Sequence, residues 1–111
     1  MSDVVLVYMT APDEATAMGL ARALVERRLA ACANVIPGMR SVYRWKGEIE
    51  EDGELIVIAK TRKDKAAALR DAAAALHPAE TPCILTIPVD AAASAAPFID
   101  WIAQETLGEA P

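Results

Sequence analysis

Histidine is nearly missing from this chain: His77 is the single copy among 111 residues. A Ser-His-Asp or Cys-His catalytic system would have to be built on that one imidazole, which narrows the enzymatic possibilities sharply. Cysteine is scarce too. Cys32 and Cys83 stand far apart, matching neither a zinc-knuckle spacing nor the dense framework of a small secreted domain, so reduced thiols are expected. Basic residues are outnumbered, with 11 Lys plus Arg against 16 Asp plus Glu and a net charge of -5. Such a chain repels a phosphate backbone, and no nucleic-acid partner is expected. No apolar run approaches the roughly 18 to 20 residues that cross a bilayer, and Met1-Ser2-Asp3 lacks the basic start of a signal peptide. A soluble cytoplasmic protein with no membrane partner is the expectation.

What the chain does have is an apolar share of 54%, including 24 alanines, with 24% of positions charged. That balance excludes a disordered or fibrous chain and fits one globular domain over residues 1–111. The β-branched run from Val4 to Met9 reads as a strand covered on both faces or central in a sheet. Thr10 or Asp13 then caps a first helix, with Ala17, Ala21, Leu24, Val25 and Leu29 at helical spacing and an end near Ala30. Residues 31–45 turn extended, with a break at Pro37-Gly38, and Leu55 to Ala59 returns as their hairpin partner. Lys46-Gly47 and Asp52-Gly53 are both turn candidates. Asp64 caps a second helix that stops at His77-Pro78. Cys83 to Ile87 is the last strand, and Ser94 opens a terminal helix whose Phe98, Trp101, Ile102 and Glu105 share the docking side, with a stop at Gly108.

Strand, helix, strand, strand, helix, strand, helix is the split βαβ order. The expected fold is α+β: a ferredoxin-like sandwich with an antiparallel sheet, a long protruding β-hairpin and an extra C-terminal helix. Residues 31–45 would span on the order of 50 Å if extended, against a diameter of roughly 35 Å for a compact chain of this length. Part of the hairpin therefore overhangs the body, with Tyr43 and Trp45 on one face of it. Identical subunits would cover both its edges and its rings.

Several unusual segments coincide in order along nearly the whole chain. They are Leu29-Ala30-Ala31-Cys32-Ala33-Asn34-Val35-Ile36-Pro37, Ser41-Val42-Tyr43-Arg44-Trp45-Lys46-Gly47-Glu48-Ile49, Lys60-Thr61 and His77-Pro78-Ala79-Glu80-Thr81-Pro82. Together they resemble the signature blocks of the CutA family of divalent-cation tolerance proteins. The resemblance implies a ferredoxin-like protomer in a tight homotrimer, with hairpins packed across subunit boundaries. It further implies a cytoplasmic protein tied to tolerance of copper and other divalent metals, with no established enzymatic reaction. Two positions depart from the family pattern: Ala79 stands where an aromatic ring is usual, and Cys83 where an acidic residue is usual.

The resemblance places metal binding near Cys32, whose thiolate suits copper(I), mercury or zinc, while the same residue also fits a small buried strand start. His77 either supplies an imidazole ligand or caps carbonyls at the end of the second helix. Cys83 is an accessory candidate for a metal ligand. The expected strand order puts Cys32 and Cys83 on opposite edge strands, roughly 14 Å apart, beyond disulfide reach but toward the same end of the sheet. That end would also gather Lys60 and Glu80, with Tyr43 or Trp45 from a neighbouring subunit, into an intersubunit cleft. A cleft of this kind offers a rival role, a PII-like trimeric sensor of a small anionic effector. An acylphosphatase reading fails, because Met9-Thr10-Ala11-Pro12 supplies neither the arginine nor the glycine-rich phosphate loop that chemistry needs.

Overall fold

The apolar run after Asp3 becomes β1 (Val4–Ala11), and in the computed structural model, which describes residues 3–107, it is central in a four-stranded sheet. The other elements are α1 (Glu14–Glu26), β2 (Cys32–Trp45), β3 (Glu48–Arg62), α2 (Ala66–Leu76), β4 (Ile84–Pro88) and α3 (Ala96–Glu105). The strands run in the order β2-β3-β1-β4 with every neighbouring pair antiparallel. This is the expected ferredoxin-like α+β plan. The Gly108 stop lies outside the described residues.

Alternation along β1 divides the sheet into two unlike faces. Val5, Val7, Met9 and Ala11 turn toward the helices and pack with Val57 and Ala59 of β3, Ala17, Leu20, Ala21 and Leu24 of α1, and Leu69 and Ala73 of α2. The alanines are structural here, because small side chains on both layers let helix and sheet approach closely. The opposite face, carrying Leu6, Tyr8, Ile36, Ile56, Ile58, Leu85 and Ile87 by register, receives helix cover at one end only. There Ile99 and Ile102 of α3 pack on Val4 and Ala31. Farther along, Leu85 stays 60% exposed. Of the two readings of this run, central in a sheet is the one that holds: β1 lies between β3 and β4, with one face fully covered by helices and the other at one end.

Several helix boundaries differ from expectation. Asp13, not Thr10, caps α1, its Oδ1 accepting from the Thr16 amide at 2.8 Å. The helix ends at Glu26, four residues before Ala30, because Arg28 takes a left-handed φ of 57°. The Leu29 and Ala30 amides then both donate to the Leu24 carbonyl. Arg28 has a second use, donating from Nη1 to the Glu105 carbonyl at the end of α3 at 3.2 Å. Asp64 caps no helix: it sits in a 3-10 turn and pairs with Arg62 at 3.0 Å. Ser94 precedes α3, its hydroxyl donating to the Asp90 carbonyl. The docking side of α3 is Ile99 and Ile102, while Phe98 and Trp101 remain outside as a tilted ring pair with centroids 5.4 Å apart. One helical step separates the two stripes, and both are apolar, so periodicity alone could not choose between them.

Candidate functional site

The site is made by the hairpin of β2 and β3. β1 stops at Ala11 opposite Leu55, so the pairs from Met39↔Glu54 to Trp45↔Glu48 extend past it. Between Ile36↔Ile56 and Met39↔Glu54, β2 advances three residues while β3 advances two, with Gly38 at φ 84°. That bulge bends the hairpin and changes which side chains face which way. Beyond it Met39, Ser41, Tyr43 and Trp45 share a face with Glu54 and Asp52. Lys46 and Gly47, both at positive φ, close the tip as the two-residue turn that joins right-handed twisted strands. Asp52-Gly53, the other turn candidate, lies within β3.

The bent hairpin reaches back toward the segment between α2 and β4, leaving a groove of about 840 Å³. Tyr43, Trp45, Asp52 and Glu54 line one wall, and His77, Glu80 and Cys83 the other. Tyr8 lies at the base, its hydroxyl donating to the Met39 sulfur at 3.6 Å. Asp52, Glu54 and Glu80 put three carboxylates on the lining, and no Lys or Arg is among it. The groove is thus aromatic and acidic.

Tyr43 donates its hydroxyl to Asp52. That bond is the chief reason its phenol is pushed up to about 12, with desolvation and the charges of Asp52, Glu50 and Glu54 acting in the same sense. Because the folded value is raised, the stabilisation is fully present below the ordinary tyrosine value of 10.0 and is lost as pH rises through about 12. An ultraviolet phenolate titration should therefore show one of the two tyrosines ionising late, and Asp52→Asn should bring it back toward 10.0. Unchanged titration in that variant would dismiss the pairing.

His77 ends α2 with ψ at 136°, and its ring then bridges two backbone groups. Nδ1 accepts from the Ala79 amide at 3.0 Å, which leaves Nε2 to carry the proton donated to the Thr10 carbonyl at 2.8 Å. Both nitrogens are spent fastening the 77–83 wall to the end of β1. The carbonyl that the ring satisfies belongs to β1, not to its own helix. A metal on either nitrogen would have to break one of these bonds.

The candidate metal ligands are divided between the two ends of the sheet. Cys32 pairs with Lys60, which pairs with Leu6 near the start of β1, whereas Cys83 precedes Ile84, the partner of Met9 near its finish. The expectation that both cysteines share an end is overturned: β1 and β3 are antiparallel, so Thr10 and Lys60 finish at opposite ends. Lys60 is likewise absent from the groove that unites Tyr43, Trp45 and Glu80; its ammonium binds Asn34 Oδ1 at 2.8 Å and stands 5.5 Å from the Phe98 ring centroid. Among the described residues, no group of three or more His, Cys, Asp or Glu side chains stands ready to hold a metal. The groove carboxylates Asp52 and Glu54 and the Met39 sulfur escaped sequence reasoning. The signal for them was the Pro37-Gly38 break followed by an alternating aromatic strand.

This strand order, with a long bent hairpin overhanging one end, places the chain among ferredoxin-like α+β proteins with an extended β2–β3 arm. A family model described as CutA1 divalent ion tolerance protein matches residues 5–105. The chain belongs to that CutA family. It is 42% identical over 106 residues to the divalent-cation tolerance protein CutA of Thermus thermophilus, covering 96% of this chain and 99% of that protein. It spans about half the length of its mammalian relatives. The crystal structure of divalent ion tolerance protein CutA1 from Ehrlichia chaffeensis matches with a TM-score of 0.90 at 33% identity, over 97% of this chain and 99% of that one. The structure of the periplasmic divalent cation tolerance protein CutA from Archaeoglobus fulgidus matches with a TM-score of 0.88 at 39% identity, over 93% of this chain and 98% of that one.

Proposed function

We propose that the chain acts by binding rather than by catalysis: a cytoplasmic homotrimer that takes up copper or another divalent cation as exchangeable cargo. The observation that carries the reading is the groove's charge. Three carboxylates and the Cys83 thiol line it without a single lysine or arginine, a setting that attracts cations and repels anions. Among the described residues no cluster of donors closes a coordination sphere within one protomer, so the ion is weakly held or shared with a second subunit. Cys32 is the poorer ligand, since a cation there meets the Lys60 ammonium across the strand pair. The anionic-effector alternative loses its support with Lys60 outside the groove.

The apolar sheet face left open by α3 supports the trimer, because so much exposed aliphatic surface calls for cover by identical copies. Free thiols at Cys32 and Cys83 support a reducing compartment. Calorimetric titration of Zn²⁺ into the reduced protein tests the cargo reading. Cys83→Ser is expected to weaken binding about tenfold while Cys32→Ser leaves it intact, a thiolate being the softest donor in the groove. Equal binding by Cys83→Ser and the parent would remove this site.

A further inference from the structure

Few polar contacts fasten residues 78–82, the stretch between α2 and β4. Among the described residues their one hydrogen bond is the Ala79 amide donating to His77 Nδ1 at 3.0 Å. Their one ion pair, Glu80 with Lys46 at 3.7 Å, is longer than a hydrogen bond. Pro78 and Pro82 have no amide proton to offer, so little else could pin the segment. The acceptor that does so is the chain's only histidine, the one side-chain type whose proton count ordinarily changes between about pH 5 and 8.

Neutral, the ring accepts from Ala79 at Nδ1 and donates from Nε2 to the Thr10 carbonyl at 2.8 Å. With a second proton both nitrogens are donors, and Nδ1–H then meets the Ala79 N–H donor to donor. The two bonds respond in opposite senses. Charge strengthens the bond to Thr10, while the bond to Ala79 can no longer be made. We propose that His77 is a proton-operated clasp: the second proton keeps the ring on β1 and releases residues 78–82 from it. Both bonds are made inside one subunit, whatever covers the groove in the assembly.

The ionisable groups that line the groove with the ring are Tyr8 of β1, Tyr43, Asp52 and Glu54 of the hairpin, and Glu80 and Cys83 beyond α2. Lys46 comes in only through its pair with Glu80. No lysine or arginine of the lining stands against the new charge. Glu80 travels with the released segment, so acid would part it from Asp52 and Glu54 and let a shared cation go. That consequence rests on the cation reading; the clasp itself does not.

The test follows Ala79 amide exchange and the ring nitrogen shifts together in the assembled, metal-free protein from about pH 7.5 to about pH 5.5, the histidine range. Rates are corrected for the intrinsic pH dependence of exchange. Ala79 protection should fall about fivefold as the ring takes its second proton, the worth of one hydrogen bond, while the β1–β4 amides keep theirs. His77→Asn supplies an acceptor that gains no proton, and its Ala79 protection should stay level across the range. A ring that remains neutral throughout, or a flat Ala79 profile while the ring protonates, overturns the proposal. So does an equal fall in His77→Asn. Since no metal enters the experiment, a failed zinc titration and a failed clasp are distinguishable.

Discussion

A chain carrying Ile58→Asp is expected to sediment as a single subunit at micromolar concentration, at one third of the parent mass. Ile58 lies mid-strand in β3, opposite Tyr8 of β1 and Asn34 of β2, on the sheet face that α3 leaves open. In the proposed trimer that face is internal. A carboxylate sealed there without a partner costs several kcal/mol per subunit, and three are introduced at once. Within a lone subunit position 58 is only partly covered, so the same carboxylate can reach water at a much smaller cost, and secondary structure should persist while assembly is lost. The melting temperature should fall with it, because subunits no longer stabilise one another by mass action. A parent protein that already runs as one subunit, or a variant that stays fully assembled, would remove the trimer from the account.

The second large effect concerns His77. Replacing it with alanine leaves the Thr10 carbonyl and the Ala79 amide without their partner at once. At about 1 kcal/mol net for each hydrogen bond, and more where water cannot fill in, the loss should be about 2 to 3 kcal/mol in chemical denaturation. His77→Asn should lose about half of that. An asparagine carbonyl can accept from the amide two residues on, as the imidazole Nδ1 does, but it cannot reach β1. Hydrogen exchange separates the cases: the Ala79 amide should lose protection with alanine and keep it with asparagine. Equal losses in the two variants would mean that the ring works by packing, not by its bridge.

These two residues also mark how far sequence reasoning reached. The strands were legible because β-branched runs broken by Pro and Gly leave few alternatives, and the length of residues 31–45 announced an arm beyond the body. Ile58 was legible as a strand residue but not as an open-face one, since a continuous apolar run gives no sign of which face its own helices cover. His77 was legible as a helix stop, through Pro78, while its bond to Thr10 joins segments that only the folded β1 and α2 bring together. Cys32 opens edge strand β2 as expected and Cys83 falls just before edge strand β4, but the two do not share an end of the sheet. That error came from strand direction, which antiparallel pairing fixes and residue type does not record. Tyr43 and Trp45 were expected on one face, and they are, but what they would look across at depended on the bend at Gly38.

That bend sets which side chains face the groove. Tyr43 and Trp45 face Glu80 because β2 spends one extra residue between Ile36 and Met39. Remove one residue there, and every later side chain on the strand exchanges sides. Arg40 and Arg44 would then look inward, with Val42 between them, and both rings would look out. An in-frame loss of one codon would thus exchange two rings for two guanidiniums on this wall, while Asp52, Glu54 and Glu80 stay where they are. In such a chain the carboxylates would be neutralised by the strand facing them, and the proposed attraction for cations would be lost.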